Sequence, residues 1–378
     1  MINYLEKPFE YLRRKDGSKF GKDIINNWYK ARAYVLKKLE DVVFRPYEND
    51  YLHVIIMGDD PLMLSVVRQV ALSAHYINYD EANEEESRRK RTVITIVSNN
   101  PDIVDTLKKE EYLCNLPRYC KWSQNDSIHN KDSFIDIEIN IVNHSDEKHE
   151  CKNVKIIKKE EIESFCNSKT EEEVFTIDTR KALYASRVYE LSLIEKYPFE
   201  ERYNAKRYEL ALDNYHYYKL QEPLSRTLID KFRFLDSQIN VKKGLSNVFC
   251  TDCFESKKNS IDLCRNDKNK NELWSLYYEA LCKSEHARWI VEKLIMGFRP
   301  LSSQERIKDE SFSYDSRRRK QFRNSLKNNN NDPVHVDICS NNDLRRISPN
   351  DIKYDGFLML SIPLILDKVS KDDKNKKN

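Results

Sequence analysis

His53-Val54-Ile55-Ile56-Met57, halted by Gly58-Asp59-Asp60-Pro61 and followed by Leu62, Val66, Val70 and Ala74 at helical spacing, reads as strand, tight turn and helix. After an acidic-then-basic loop at 84–91, the β-branched run Thr92-Val93-Ile94-Thr95-Ile96-Val97 reads as a strand buried on both faces. The same alternation continues, with a helix over 101–109, a strand over 135–142, further strands at 154–157 and 174–177, and a helix over 179–196. Residues 46–197 therefore predict an open, mostly parallel α/β sheet. Upstream, Ile24, Trp28, Ala31, Val35, Leu39 and Val42 step by three and four along one helical stripe that Arg45-Pro46 ends, so 1–45 forms an N-terminal helical segment.

Beyond 197 the periodicity turns helical. Leu224, Leu228, Phe232, Leu235 and Ile239 share one face, Pro223 suits a helix start, and 247–271, rich in Cys, Lys and Asn, reads as a loop. We take 198–270 as a helical connector. A long helix over 272–296 follows, ended by Gly297. Arg317-Arg318-Arg319-Lys320 and the asparagines at 328–331 mark an exposed insertion, and the polar residues 369–378 predict a disordered tail.

Composition narrows the function class. The 65 Lys+Arg and 62 Asp+Glu nearly cancel, so the formal +3 supplies no global field for nucleic acid or an anionic membrane. No apolar run reaches the ~20 residues that a membrane span needs, and the N-terminus lacks a basic start followed by an apolar stretch. Nine cysteines, an odd number, suit reduced thiols and a cytoplasmic protein. The six glycines, Gly17, Gly21, Gly58, Gly244, Gly297 and Gly356, never fall at the spacings of G-x-G-x-x-G or G-x-x-x-x-G-K. A standard dinucleotide fingerprint, a Walker A loop and a Gly-x-Ser-x-Gly nucleophile elbow are all excluded. At 378 residues the chain exceeds the ~250–300 at which single cores stop growing, so two domains are expected.

The long helix carries the strongest signal. At about 100° per residue, Tyr277, Ala280, Ser284, Ala287, Val291, Leu294 and Ile295 form a core-facing stripe, and Cys282, His286, Trp289 and Lys293 gather opposite. The stretch Ser284-Glu285-His286-Ala287-Arg288-Trp289, leading into Met296-Gly297-Phe298-Arg299, resembles the Ry domain, the ryanodine-receptor repeat also found alone in bacterial and phage proteins. Val334-His335-Val336-Asp337-Ile338, Asn342-Asp343-Leu344, Lys353-Tyr354-Asp355 and Ile362-Pro363-Leu364 look like the later segments of that repeat, in order. The resemblance covers 272–366, within a mainly α-helical Ry domain at 271–368. It departs from the family pattern at Phe298-Arg299-Pro300, at Val336 in place of proline, and in an enlarged insertion over 302–333. Residues 53–75 are similar to the first strand, turn and helix of a Rossmann-like domain of TrkA type, which longer prokaryotic members join to such a repeat. Gly58 is then the one cofactor-loop glycine retained, while Asp59 and Asp60 place negative charge where a pyrophosphate would approach the helix N-terminus.

What the resemblance implies is binding. Ry repeats bind adenine nucleotides with the motif tryptophan near the base, and isolated prokaryotic copies are thought to sense nucleotide-derived signals in antiphage systems. The expected ligand is an adenine-containing nucleotide or a signal of ADP-ribose or cyclic-nucleotide type, with assembly into a homo-oligomer through the Rossmann-like half. Trp289 and Phe298 supply flat faces, Arg288, Lys293 and Arg299 supply cations for phosphates, and His286, His335 and Asp355 supply polar contacts. The residues alone leave a second account open for each: Trp289 as a plug between helices, His286 as a packed histidine, Arg288 and Arg299 as ion-pair partners. A nucleotide-processing enzyme and an NAD(H)-sensing transport subunit are the rival functions. Cys250-Thr251-Asp252-Cys253 has the start of a zinc site but no second close pair, and the arginines at 317–323 lack the interleaved aromatics of a nucleic-acid surface.

Overall fold

The computed structural model describes residues 7–377 except 13, 15–16, 47, 82–88, 114, 123–132, 144–150, 195–240, 267–269, 330–331 and 349–350. Strands β1 (Leu52–Met57), β2 (Thr92–Val97), β3 (Lys121–Trp122), β4 (Ile137–Val142) and β5 (Asn153–Lys158) form one five-stranded sheet, ordered β3-β4-β2-β1-β5 and parallel throughout. The inner strand β1 is apolar on both faces because both are covered: Leu52, Val54, Ile55 and Ile56 are all buried. At the edge, β5 carries lysines at 155 and 158, the usual protection of an unpaired strand. The chain steps from β1 through β2 to β4 in one direction and places β5 on the other side of β1, so the strand order reverses beside β1.

Helices α1 (Lys22–Leu39), α2 (Pro61–Ser73), α3 (Ile103–Lys109), α4 (Leu116–Tyr119), α5 (Lys159–Asn167), α6 (Glu171–Phe175) and α7 (Thr179–Ile194) connect and cover the strands. In α1 the expected stripe is the packed one, with Trp28, Ala31, Val35 and Leu39 buried, and the helix lies against α2. Residues 62–73 of α2 are buried without exception. The C-terminal half is helical: α8 (Val241–Asp252), α9 (Phe254–Arg265), α10 (Lys270–Ile295), α11 (Ser303–Ser311), α12 (Ser316–Lys327), α13 (Asn341–Ile347) and α14 (Asp351–Lys377). Its core joins that of the sheet. Leu245, Val248 and Phe249 of α8 and Ile290, Val291 and Leu294 of α10 belong to the same buried cluster as the strands. A second cluster unites Val188 of α7, Phe254 and Ile261 of α9, Leu281 of α10, and Met359 and Ile362 of α14.

Three expectations are corrected, and a fourth is refined. Residues 174–177 are not a strand: Thr170 and Glu173 form a reciprocal capping box that starts α6, and Val174 is buried by that helix. The stretch 247–271 is not a loop but most of α8 and α9, because Val248, Phe249, Phe254 and Ile261 reach the core at helical spacing and packing outweighs the weak propensities of Cys and Asn. The polar tail continues α14 to Lys377, since a helix nucleated by buried Met359, Ile362 and Ile365 extends cheaply and Arg180 holds Asp373 at 2.5 Å. The insertion at 302–333 is indeed exposed, yet it is folded as α11 and α12, with Arg319 and Arg323 both bound to Asp309. The helix expected at 224–239 lies outside the described residues. No described helix is long and apolar enough to cross a membrane.

Candidate functional site

The site is built around α10. Both of its faces are covered: Cys282 and His286, expected opposite the core stripe, are buried, and Trp289 is partly buried against the core. The physical reason is α14, which crosses close enough that a Cβ on Gly356 would stand 2.5 Å from Cys282 Sγ and closer still to the Tyr278 hydroxyl. Gly297, at φ +87°, ends α10, and the Asn115 amide donates to the Gly297 and Phe298 carbonyls at 2.9 Å, pinning the turn to the sheet half. Phe298, beside this turn, packs against the core. A short parallel bridge between Arg299 and Val334, with the His335 amide donating to the Arg299 carbonyl at 3.0 Å, brings His335 beside it.

These elements enclose a half-buried cavity of about 560 Å³. Its wall includes seven of the eight ligand-binding residues expected from the sequence: His286, Arg288, Trp289, Lys293, Phe298, His335 and Asp355. The rings form a connected group. The His286 and Trp289 planes are nearly parallel, 12° apart with centroids at 5.9 Å, while His335 meets Trp289 edge-on at 4.8 Å and Phe298 at 5.9 Å. Lys293 Nζ stands 5.4 Å from the centre of the indole ring.

Both imidazoles are uncharged at neutral pH. Burial pushes the His286 pKa down to about 4, although its Nε2 donates to the Cys339 carbonyl at 3.3 Å. Burial, with the nearby Lys327 and Lys293 amines and His286, pushes His335 down to about 3.

Arg288 is on the wall but already occupied. It is buried, with Nε 2.8 Å from Glu285 and Nη1 2.7 Å from Glu292, both carboxylates being buried as well. Lys257 on α9 reaches Glu285 at 3.2 Å, Ser246 donates to Glu292 at 2.6 Å, and Lys293 also pairs with Glu292. This chain of buried charges ties α8, α9 and α10 together, and its Lys293 also lies against the Trp289 ring in the cavity. Arg299 lies away from the cavity wall. Its guanidinium grips Glu305 at 2.7 and 3.0 Å and Asp332 at 2.6 Å, which holds the Glu305 carboxyl down at about 2.

At Gly58 the backbone takes φ +116°, the left-handed conformation that glycine supplies. The helix N-terminus beyond it is filled by protein: Asp60 accepts from the Leu62 and Met63 amides at 2.8 and 3.3 Å and pairs with Lys159 at 3.1 Å, and Asp59 accepts from Ser98 at 2.6 Å. Those amides are the ones a pyrophosphate would need.

Sequence reasoning missed Lys243, Ser246 and Asn247, which line the cavity from α8, and Lys327 at the end of α12. The first three sit at i, i+3 and i+4, opposite buried Leu245, Val248 and Phe249, a helical pattern hidden by the surrounding cysteines and lysines. Cys250 and Cys253 are buried, their thiols directed at Glu285 and the Leu72 carbonyl, and burial keeps both protonated. Among the described residues no group of three or more His, Cys, Asp or Glu is placed to hold a metal ion. No family model matches the chain, and no curated protein or solved structure matches it.

Proposed function

We propose that the cavity against α10 binds a small nucleotide, adenine-containing or of ADP-ribose type, and that the chain is a nucleotide sensor built from a Rossmann-like half and an Ry-type repeat. The observation that carries this reading is the joint presence, on one half-buried wall, of the Trp289, Phe298 and His335 rings and the Lys243, Lys293 and Lys327 side chains. Stacking a base on an aromatic face contributes about 1–3 kcal/mol, and ammonium groups suit phosphates as point charges. The volume of about 560 Å³ lies within the range of ligand cavities, roughly 300–1,000 Å³. The shared core supports a sensing role, because ligand contacts on α10 bear on the elements that cover the sheet. The Asp60-capped turn after β1 argues for a scaffold role in the sheet half and against a second nucleotide there.

Thermal unfolding against a panel of adenine nucleotides, NAD, ADP-ribose and cyclic nucleotides tests the reading. A ligand at a hundred times its dissociation constant stabilises by about 2.7 kcal/mol, a shift of several degrees that Trp289→Ala removes while remaining folded. Absence of any shift across the panel in folded protein sinks the proposal. Consumption of the stabilising ligand over time would instead point to an enzyme.

A further inference from the structure

We infer that the outer face of α12, together with Tyr314, is a docking surface for single-stranded nucleic acid. Over 316–327 the helix carries six cations and no carboxylate. Packing divides them. Arg319 and Arg323 turn inward onto Asp309, and Phe322 packs against Phe312 with the Lys308 amine over its ring. At about 100° per residue, Arg317, Lys320, Gln321 and Asn324 fall on the opposite side, and all four are exposed. Arg318 is exposed beside them, 3.4 Å from Asp315. No acidic residue stands three or four positions from Arg317 or Lys320, and these two cations lie one turn apart, where like charges repel. The hairpin is braced from within by Asp309 and by the Ser302–Glu305 capping box of α11, so its outer donors are presented together.

The chemistry of this face selects the partner. Arg, Lys, Gln and Asn all donate hydrogen bonds, and they are among the side chains that meet phosphate oxygens in nucleic-acid complexes. An acidic protein segment matches the charge, but protein interfaces draw most of their energy from a few deeply buried anchors, and α12 buries no residue and offers no pocket for one. Tyr314, two positions before α12, is the most exposed large hydrophobic residue among those described. It supplies the aromatic that the run 317–323 lacks on its outer side, since Phe322 is turned inward. A bare ring stacks an unpaired base, which favours a single strand over a duplex whose bases are already stacked. The field is local: residues 302–333 hold eight Lys+Arg against five Asp+Glu, a surplus of three that equals the formal +3 of the whole chain.

Fluorescence anisotropy of the full chain with a labelled single strand of about 12 nucleotides, over a salt series, tests the inference. The expected logarithmic salt slope is about −2, from three cations that each release about 0.7 of a counterion. Arg317→Gln combined with Lys320→Gln makes the slope shallower by about 1.4. Tyr314→Ala weakens binding about tenfold and leaves the slope unchanged. These are surface changes, and thermal midpoints equal to the wild type show that the variants remain folded. No binding at about 50 mM salt overturns the inference, as does undiminished binding by the folded double variant. A duplex of the same length bound as tightly, with Tyr314→Ala silent, overturns the choice of a single strand. A polyglutamate peptide bound as tightly as the oligonucleotide overturns the choice of nucleic acid and marks α12 as a protein-docking helix. The variants lie outside the cavity wall, so failure of the nucleotide reading leaves this inference standing.

Discussion

Arg288 and Arg299 look alike in sequence, two arginines flanking a tryptophan motif, and neither has a guanidinium to spare. Buried Arg288 answers two buried carboxylates, Glu285 and Glu292, and removing one member of such a set leaves charge uncompensated in a low-dielectric interior. Arg288→Ala is accordingly expected to lose about 3–5 kcal/mol of stability in urea denaturation. A loss below about 1 kcal/mol, accompanied by weaker nucleotide binding, would instead mark Arg288 as a phosphate contact. The cations on the cavity wall besides Arg288 are lysines from three helices, Lys243, Lys293 and Lys327, and Lys293 also pairs with Glu292.

The geometry of α10 is set by the helix that crosses it. Gly356 is where α14 comes closest, against Tyr278 and Cys282, and any side chain there must displace one of them. Gly356→Ala gains helix propensity of about 1 kcal/mol yet inserts a methyl group into occupied space. The expected net effect is a destabilisation of about 1–3 kcal/mol by thermal or urea unfolding, with the cavity opened because Asp355 moves with its neighbour. A stabilised variant would show that α14 does not sit this close. The same packing explains the expected two-faced helix: the pattern of α10 is real, but its second face meets α14, α8 and the segment bearing His335.

Acid response belongs to the molecule as a whole, because protonating a buried ring opposes the cooperative fold that buries it. His286 and His335 have folded pKa values of about 4 and about 3, below the ordinary 6.5, so the unfolded chain takes up protons first. Their stability contribution is complete above pH 6.5 and is lost as pH falls from there toward the folded values, at about 1.4 kcal/mol per pH unit for each histidine. Denaturation midpoints should fall steadily between pH 6.5 and 5, before most carboxylates titrate, and His335→Asn should flatten that slope. A wild-type profile that is level over this interval contradicts the burial of these rings. One core spanning sheet and C-terminal helices also means that the loss should be felt in a single cooperative transition.

Local pattern was enough to reveal the parallel sheet. His53 to Met57 read as a strand and Thr92 to Val97 as a strand buried on both faces, with a helix after Pro61, and these are β1, β2 and α2. The spacing of His286, Trp289 and Lys293 was equally legible, since one helix face follows from chain geometry alone. Where a segment's fate depended on distant partners, pattern failed. Residues 247–265 became helix because the core needed Phe249 and Phe254, the tail stayed helical on the strength of packing upstream, and 174–177 followed its cap instead of its β-branched residues. The choice among ion pairs was likewise tertiary. Coulomb attraction acts through space, so Arg288 with Glu292 is visible as an i, i+4 pair in sequence, but the burial that makes the pair matter comes only from the helices folded around it.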